Sequence, residues 1–167
     1  PPKVALPTTG KLYLVGDATQ GGWGNPVPVP NQELTKIDET TYGGIFNMVG
    51  GKQYLVLPLN GNWDNKYAVA NNTLPGLSGG GDFGFNLSDN FPAPAASGWY
   101  KLVLDFQTGK FTVTPFTQQH GLPDSLYIVG DATPGGWNNP PLDPGNIVNQ
   151  KFTRINSTRF EIASIAL

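Results

Sequence analysis

One eleven-residue stretch occurs twice in this chain. GDATQGGWGNP spans residues 16–26, and GDATPGGWNNP spans residues 130–140, which is 114 positions later (130 minus 16). Each copy directly follows a short apolar run, LYLV or LYIV, and each places a tryptophan among glycine and asparagine. Self-similarity at one fixed spacing is typical of homologous units arranged in series. The repeat therefore predicts two copies of one structural unit.

The residues between the two copies predict β structure. Short runs rich in β-branched and aromatic residues are separated by turn-forming glycine, proline and asparagine, and the chain has 22 Gly and 16 Pro. None of these runs has a helical period. The predicted strands are LYLVG (12–16), ELTKI (33–37), GIFNMV (44–49), QYLVLPL (53–59) and FGFNL (83–87).

The segment WYKLVLDFQTGKFTVTP, residues 99–115, predicts a β-hairpin. Apolar residues from Tyr100 to Phe106 alternate with more polar ones, Gly109 marks the turn, and residues 111–114 return. Trp99 begins the first strand and is expected to be structural. About seven short strands between residues 12 and 115 are typical of a single antiparallel β-sandwich.

These elements predict four segments. Residues 12–116 form the sandwich, and residues 117–125 form a linker. Residues 126–167 begin a second homologous module, in which FTRINSTRF aligns with LTKIDETTY after a four-residue insertion. That second copy is expected to be incomplete, because about 40 residues rarely support a core. Residues 1–11 are predicted to be a linker or the tail of a preceding module, since a Leu-Pro pair precedes each unit.

Charge and hydropathy argue against two classes of partner. The formal net charge is −2 and no segment carries a cluster of Lys or Arg, so we expect no binding to nucleic acid. No apolar run approaches the roughly 18 residues that a membrane-spanning helix needs, so no transmembrane segment is predicted. The chain has no cysteine, which removes disulfides and thiolate metal sites.

The sequence offers little for catalysis. The single histidine, His120, falls in the predicted linker, and Asp17 and Asp131 follow strand-ending glycines as turn residues do. NGNWDNK at residues 60–66 has the alternate oxygen ligands of a calcium loop but lacks its central glycine and closing glutamate. The Gly79-to-Gly81 run opens no helix and is interpreted as a flexible loop. We therefore predict no catalytic residue, no metal and no cofactor.

Aromatic side chains on polar loops are the more informative feature. Trp23 and Trp63 both stand among glycine and asparagine, where a rigid β scaffold can present a flat apolar ring beside hydrogen-bonding groups. Such a surface suits a sugar, which has one C–H-rich face and a rim of hydroxyls. Lys66 and Asn65 lie beside Trp63, and Lys36, which aligns with Arg154, is a further candidate donor. Alternatively, both rings pack inward and the unit is a structural spacer.

Three segments together resemble a known family. LYLVGDATQGGW, QYLVLPLNGNWDNKYAV and WYKLVLDFQTGKFTVTP resemble, in that order, the tandem modules of the SusE and SusF starch-utilisation lipoproteins of Bacteroidetes. The resemblance implies an immunoglobulin-like β-sandwich without enzymatic activity that holds α-glucan through an arc of two aromatic rings. It also implies attachment to the extracellular face of the outer membrane by a lipid anchor, beside other glycan-uptake proteins.

Carried over by position, the resemblance implies particular site residues. Trp23 and Trp63 form the arc, while Lys66, Asn65 and Tyr67 contact sugar hydroxyls. In the second unit, Trp137 is the first half of a second site. The alternatives are a spacer domain, a module for a different glycan, and a glycosidase or an accessory domain of one.

Overall fold

The computed structural model describes residues 1–117, 121, 123–140, 144–156 and 159–165. The chain divides into two compact units, Pro1–Thr117 and Gln118–Leu167. His120, for which we predict a linker position, lies outside the described residues. Across the described ranges, no helix is both long enough and apolar enough to cross a membrane.

Unit 1 contains ten strands and one short 3-10 helix, Leu77–Gly79. The strands are β1 (Leu12–Val15), β2 (Glu33–Lys36), β3 (Thr41–Met48), β4 (Gln53–Leu57), β5 (Tyr67–Ala68), β6 (Gly80–Asp82), β7 (Gly84–Phe85), β8 (Phe91–Pro92), β9 (Gly98–Asp105) and β10 (Lys110–Pro115).

All strand pairs of unit 1 are antiparallel, and they form two layers that share β2. Leu34 at the start of β2 pairs with β1, whereas Lys36 at its end pairs with Tyr42 of β3. One layer has the order β6-β10-β9-β3-β2, and the other continues as β1-β4-β5-β7, with β8 also paired to β4. The predicted all-β, immunoglobulin-like antiparallel sandwich is therefore confirmed.

The predicted hairpin of β9 and β10 is also confirmed. Its register runs from Lys110 opposite Asp105 to Pro115 opposite Tyr100. The alternation predicted for β9 holds, because Tyr100, Leu102 and Leu104 are buried while the residues between them face outward.

The space between the two layers is filled by a core rich in aromatic rings. Phe106 is fully buried and meets Tyr67 and Phe83 edge to face, each at a centroid distance of 5.1 Å. Phe91 meets Phe111 of the facing layer at 4.9 Å. Offset and edge-to-face contacts of this kind add stability beyond the area they bury. The core thus fixes the two layers against each other.

A second apolar cluster lies on the opposite face of the β1–β4 layer. Val15, Leu55, Leu57 and Ala68 point away from the core, and Val27 covers them from the long segment between β1 and β2. The near-continuous apolar runs of β1 and β4 reflect this burial on both faces. The segment that carries Trp23 is consequently pinned across the sheet by Val27.

The residues before β1 pack against the sandwich of unit 1. The backbone N–H groups of Lys3 and Val4 donate to the carbonyls of Gln107 and Phe106, at 3.2 and 3.1 Å, and Val4 is buried in the core. The hydroxyl of Tyr67 donates to the carbonyl of Ala5 at 2.7 Å. Residues 3–5 therefore extend the packing of this sandwich.

The described part of unit 2 holds one helix, α1 (Pro144–Asn149), and a hairpin of β11 (Thr153–Asn156) and β12 (Arg159–Glu161). We predicted no helix. α1 lies in the segment between the tryptophan loop and β11, which is four residues longer than its counterpart in unit 1, and it begins with proline, which is favoured at the first helical position.

Candidate functional site

The loop after β1 is closed by its own hydrogen bonds. Gly16 N–H donates to the Gly22 carbonyl at 3.0 Å, and the Thr19 hydroxyl donates to the Gly16 carbonyl at 2.7 Å. The buried side chain of Gln32 joins this loop to β1. Its Nε2 donates to the Leu14 carbonyl at 2.9 Å, and its Oε1 accepts from Gly21 N–H at 3.2 Å. Trp23 therefore follows a loop of fixed shape.

The second unit reproduces these four hydrogen bonds. Gly130 N–H donates to the Gly136 carbonyl at 2.9 Å, and the Thr133 hydroxyl donates to the Gly130 carbonyl at 2.8 Å. Gln150 takes the part of Gln32: Nε2 donates to the Ile128 carbonyl at 2.8 Å, and Oε1 accepts from Gly135 N–H at 2.9 Å. The sequence repeat thus encodes one loop geometry, which each unit builds from its own residues.

Our sequence analysis missed these two glutamines. Each precedes the strand that follows the tryptophan loop, and the four-residue insertion shifts the second one out of simple register with the first. An alignment of the two units that allows for the insertion places Gln32 beside Gln150. The same residue type occurs at both aligned positions, although the residues before them differ, and this match could have identified the two glutamines.

Replacing Gln32 by alanine is expected to destabilise unit 1 by about 1 to 3 kcal/mol. The change leaves the Gly21 N–H and the Leu14 carbonyl without their side-chain partner in a buried setting. Urea unfolding followed by circular dichroism measures the loss, with the exposed Gln107 replaced by alanine as the control. A Gln32→Ala midpoint equal to that of the control would contradict this role.

A second loop, between β4 and β5, is joined to the first by three hydrogen bonds. Asn60 Oδ1 accepts from Val27 N–H at 2.7 Å, and Asn60 Nδ2 donates to the Val27 carbonyl at 3.1 Å. Gly61 N–H donates to Asn25 Oδ1 at 2.8 Å. The second loop carries Trp63, so these bonds hold the two tryptophan-bearing loops together.

The two indole rings stand side by side and open to solvent. The ring centroids of Trp23 and Trp63 are 6.3 Å apart, and the ring planes are inclined at 43°. Trp23 is 38% exposed and Trp63 is 47% exposed. The pair forms an angled apolar platform, and neither ring is buried in the core.

Two of the polar residues predicted for this site lie in the same loop as Trp63. Asn65 is exposed and adopts a left-handed backbone conformation with φ 62°, which asparagine tolerates better than most residues. Lys66 is half-buried at the end of the loop, and within the described residues its ammonium forms no ion pair. Both remain candidates for contact with a ligand.

Two other predicted contacts are placed elsewhere by the structure. Tyr67 is only 1% exposed: its ring packs in the core, its hydroxyl donates to Ala5, and burial raises its pKa. Lys36 pairs with Glu39 at 3.6 Å. It lies four residues along an extended strand from Gln32, which is roughly 13 Å. The ring of Tyr67 is therefore closed to a ligand, whereas the ammonium of Lys36 is already paired with Glu39.

The remaining tryptophans differ from this pair. Trp137 is 71% exposed, and its ring lies close to Gly130, where an added Cβ would meet a ring carbon at 3.8 Å. Trp99, expected to be structural, is 46% exposed on the outer face of β9, opposite Asn47 of β3.

Comparison with known proteins gives one structural similarity to report. No family model matches the chain, and no curated protein matches it in sequence. The crystal structure of SusF from Bacteroides thetaiotaomicron is similar over 90% of this chain, with 24% sequence identity and a TM-score of 0.45. The chain spans 30% of the length of that SusF chain.

Proposed function

We propose that this chain binds polysaccharide without modifying it, and that its ligand is a starch-like α-glucan held on the Trp23–Trp63 pair. The observation that carries the proposal is the geometry of the pair: two exposed rings, 6.3 Å apart and inclined at 43°, on loops tied to each other. A flat ring presents the apolar surface that the C–H face of a sugar covers. The inclination favours a curved chain of sugars over a flat ribbon.

The polar rim of the ligand needs partners that surround the rings. We assign this role to Lys66 and Asn65, which share the loop of Trp63. Within the described residues the Lys66 ammonium forms no ion pair, and Asn65 is exposed. An ammonium donates to sugar hydroxyls, and an amide both donates and accepts. Tyr67 is left out because its ring is buried, and Lys36 is left out because its ammonium pairs with Glu39.

The expected affinity is modest. Burying about 50 Å² on one ring at about 25 cal/mol per Å² contributes about 1 kcal/mol. Two rings with a few hydrogen bonds then give dissociation constants of around 10 μM to 1 mM. A single site of this kind captures a glucan reversibly.

The repeated loop supports a tandem arrangement of such sites. We propose that residues 12–116 form one glycan-binding module and that residues 117–125 link it to a second one beginning at residue 126, where Trp137 is half of a second site. Linking two weak sites raises the avidity for a long polymer by about 10² to 10⁴. A repetitive ligand is the natural match for a repeated platform.

The resemblance to SusE and SusF modules supports a location for this activity. We propose that the protein is held on the extracellular face of the outer membrane by a lipid anchor and works beside other glycan-uptake proteins. In that setting, weak and repeated binding retains a polymer near the cell while still releasing it.

Titration with maltoheptaose tests the proposed function. Tryptophan fluorescence of the full chain is expected to change saturably, with a dissociation constant of around 10 μM to 1 mM, and cellohexaose, a straight β-linked chain, is expected to bind more weakly. Incubation with starch is expected to release no new reducing ends. No fluorescence change with any glucan would favour the structural spacer. Binding of a different glycan alone would contradict α-glucan as the ligand, and release of reducing ends from starch would show that the protein is an enzyme.

A further inference from the structure

We infer that Asn60 is a positioning residue that fixes the angle between Trp23 and Trp63 by clamping the backbone of Val27. This inference rests on the proposed function for its consequence in binding, while the clamp itself stands on the hydrogen-bond geometry. No sugar contact is assigned to Asn60.

The side chain of Asn60 uses both halves of its amide on one residue of the other loop. Oδ1 accepts from Val27 N–H at 2.7 Å, and Nδ2 donates to the Val27 carbonyl at 3.1 Å. Val27 is itself buried against Val15 and Leu57 on the outer face of the β1–β4 layer. Asn60 therefore grips a point of the first loop that is already anchored to the sheet.

A third hydrogen bond joins the loops, with its side-chain partner on the first loop and its backbone partner on the second. Asn25 Oδ1, two residues after Trp23, accepts from the N–H of Gly61, two residues before Trp63. Both ends of this bond are thus close to an indole ring. Together with the clamp, it leaves little freedom for one loop to rotate against the other.

The two loops depend on these bonds for their mutual orientation. The first loop is joined to β1 through Gln32, whereas the second leaves β4, where the Pro58 carbonyl accepts from the Thr9 hydroxyl. Among the described residues, the hydrogen bonds between the loops are the three made by Asn60 and Asn25. The ring centroids, 6.3 Å apart, are near the outer limit for aromatic contact, so the rings alone hold their angle weakly.

This arrangement has a consequence for ligand choice. Two rings at a fixed inclination match one curvature of a sugar chain, and preorganisation spares the ligand the entropy of ordering the loops. If the clamp is lost, each ring can still stack on a sugar, but the two no longer present one shape. Cutting the clamp should weaken binding while leaving the core of the sandwich intact.

The test replaces Asn60 and measures a spectroscopic signal that depends on the angle between the two rings. Two indoles at this distance couple as excitons, and the difference in far-ultraviolet circular dichroism between the wild type and Trp63→Phe isolates their signal. Asn60→Ala removes both bonds, and Asn60→Asp keeps the acceptor for Val27 N–H but sets an oxygen against the Val27 carbonyl. Asn47→Ala, an exposed residue on the outer face of β3, is the matched control.

We expect both Asn60 variants to reduce or invert the exciton signal and to weaken maltoheptaose binding by roughly two- to threefold, with Asn47→Ala unchanged. Asn25→Ala provides the same readout should an Asn60 variant fail to fold. An exciton signal equal to the wild type in folded Asn60 variants would overturn the positioning role. A changed signal in a protein that binds no glucan would support the clamp and refute the proposed function instead.

Discussion

Replacing Trp63 by alanine is expected to weaken maltoheptaose binding by about fivefold to tenfold, because one ring contributes about 1 kcal/mol and the hydrogen bonds of its sugar weaken with it. Trp63 is 47% exposed and supplies one of the two rings of the platform. Its removal takes away one stacking surface and leaves Trp23 to hold a sugar alone. Calorimetric titration of the full chain measures the loss.

Trp99 provides the matched control for this change. It is 46% exposed, almost the same as Trp63, but it lies on the outer face of β9 opposite Asn47. Trp99→Ala should therefore leave the affinity for maltoheptaose unchanged while removing a ring of equal exposure. If Trp99→Ala abolished binding and Trp63→Ala did not, the glucan site would lie on the outer face of β9 and not on the Trp23–Trp63 pair.

The second large effect is expected at the first residue of the repeated motif. Gly16 has φ 148°, and a Cβ added there would lie 2.3 Å from the Gln53 carbonyl oxygen and 2.5 Å from the Tyr54 Cα of β4. These are backbone atoms of a central strand and cannot move aside singly. Gly16→Ala should destabilise unit 1 by about 3 kcal/mol or more, from backbone strain and the clash together.

Alanine substitutions at two other glycines of the motif separate the cost of backbone strain from the cost of the steric clash. Gly22 has φ 59°, and Gly130, the counterpart of Gly16, has φ 149°. Among the described residues, a Cβ added at Gly22 would meet nothing within 4 Å, and one added at Gly130 would meet only the Trp137 ring, at 3.8 Å. Each alanine variant should cost only about 1 to 2 kcal/mol. Urea unfolding monitored by circular dichroism compares the three, and a Gly16→Ala loss no larger than that of Gly22→Ala would contradict the clash.

The fold of unit 1 was predictable where local pattern decides the structure. In β9, strict alternation from Tyr100 to Leu104 marks the buried face, and Gly109 marks the turn. The FGFNL run was less predictable. It yields only the two residues of β7, with Phe83 buried and Phe85 exposed, because β7 pairs only with the two residues of β5.

The candidate site was predictable in its residue types but not in its geometry. Glycine and asparagine around Trp23 and Trp63 indicate exposed rings, and both rings are exposed. Their mutual angle depends on contacts between Asn60 and Val27, which are 33 residues apart in sequence. No periodicity reports such a contact.

Tyr67 shows that position in the sequence does not decide whether a side chain is exposed. It follows the polar NGNWDNK segment directly, so its position in the sequence suggests the rim of the site. In the structure the chain enters β5 at Tyr67, and the ring turns into the core against Phe106 and Phe83. A one-residue difference in where a strand begins decides which face a side chain occupies.

The most direct test of the glucan site is nuclear magnetic resonance of the four indole N–H groups during titration with maltoheptaose. The account predicts that the signals of Trp23 and Trp63 shift together and saturate at one ligand concentration, while that of Trp99 stays in place. Signals of Trp23 and Trp63 that do not move at millimolar maltoheptaose, or a shift confined to Trp99, would contradict it.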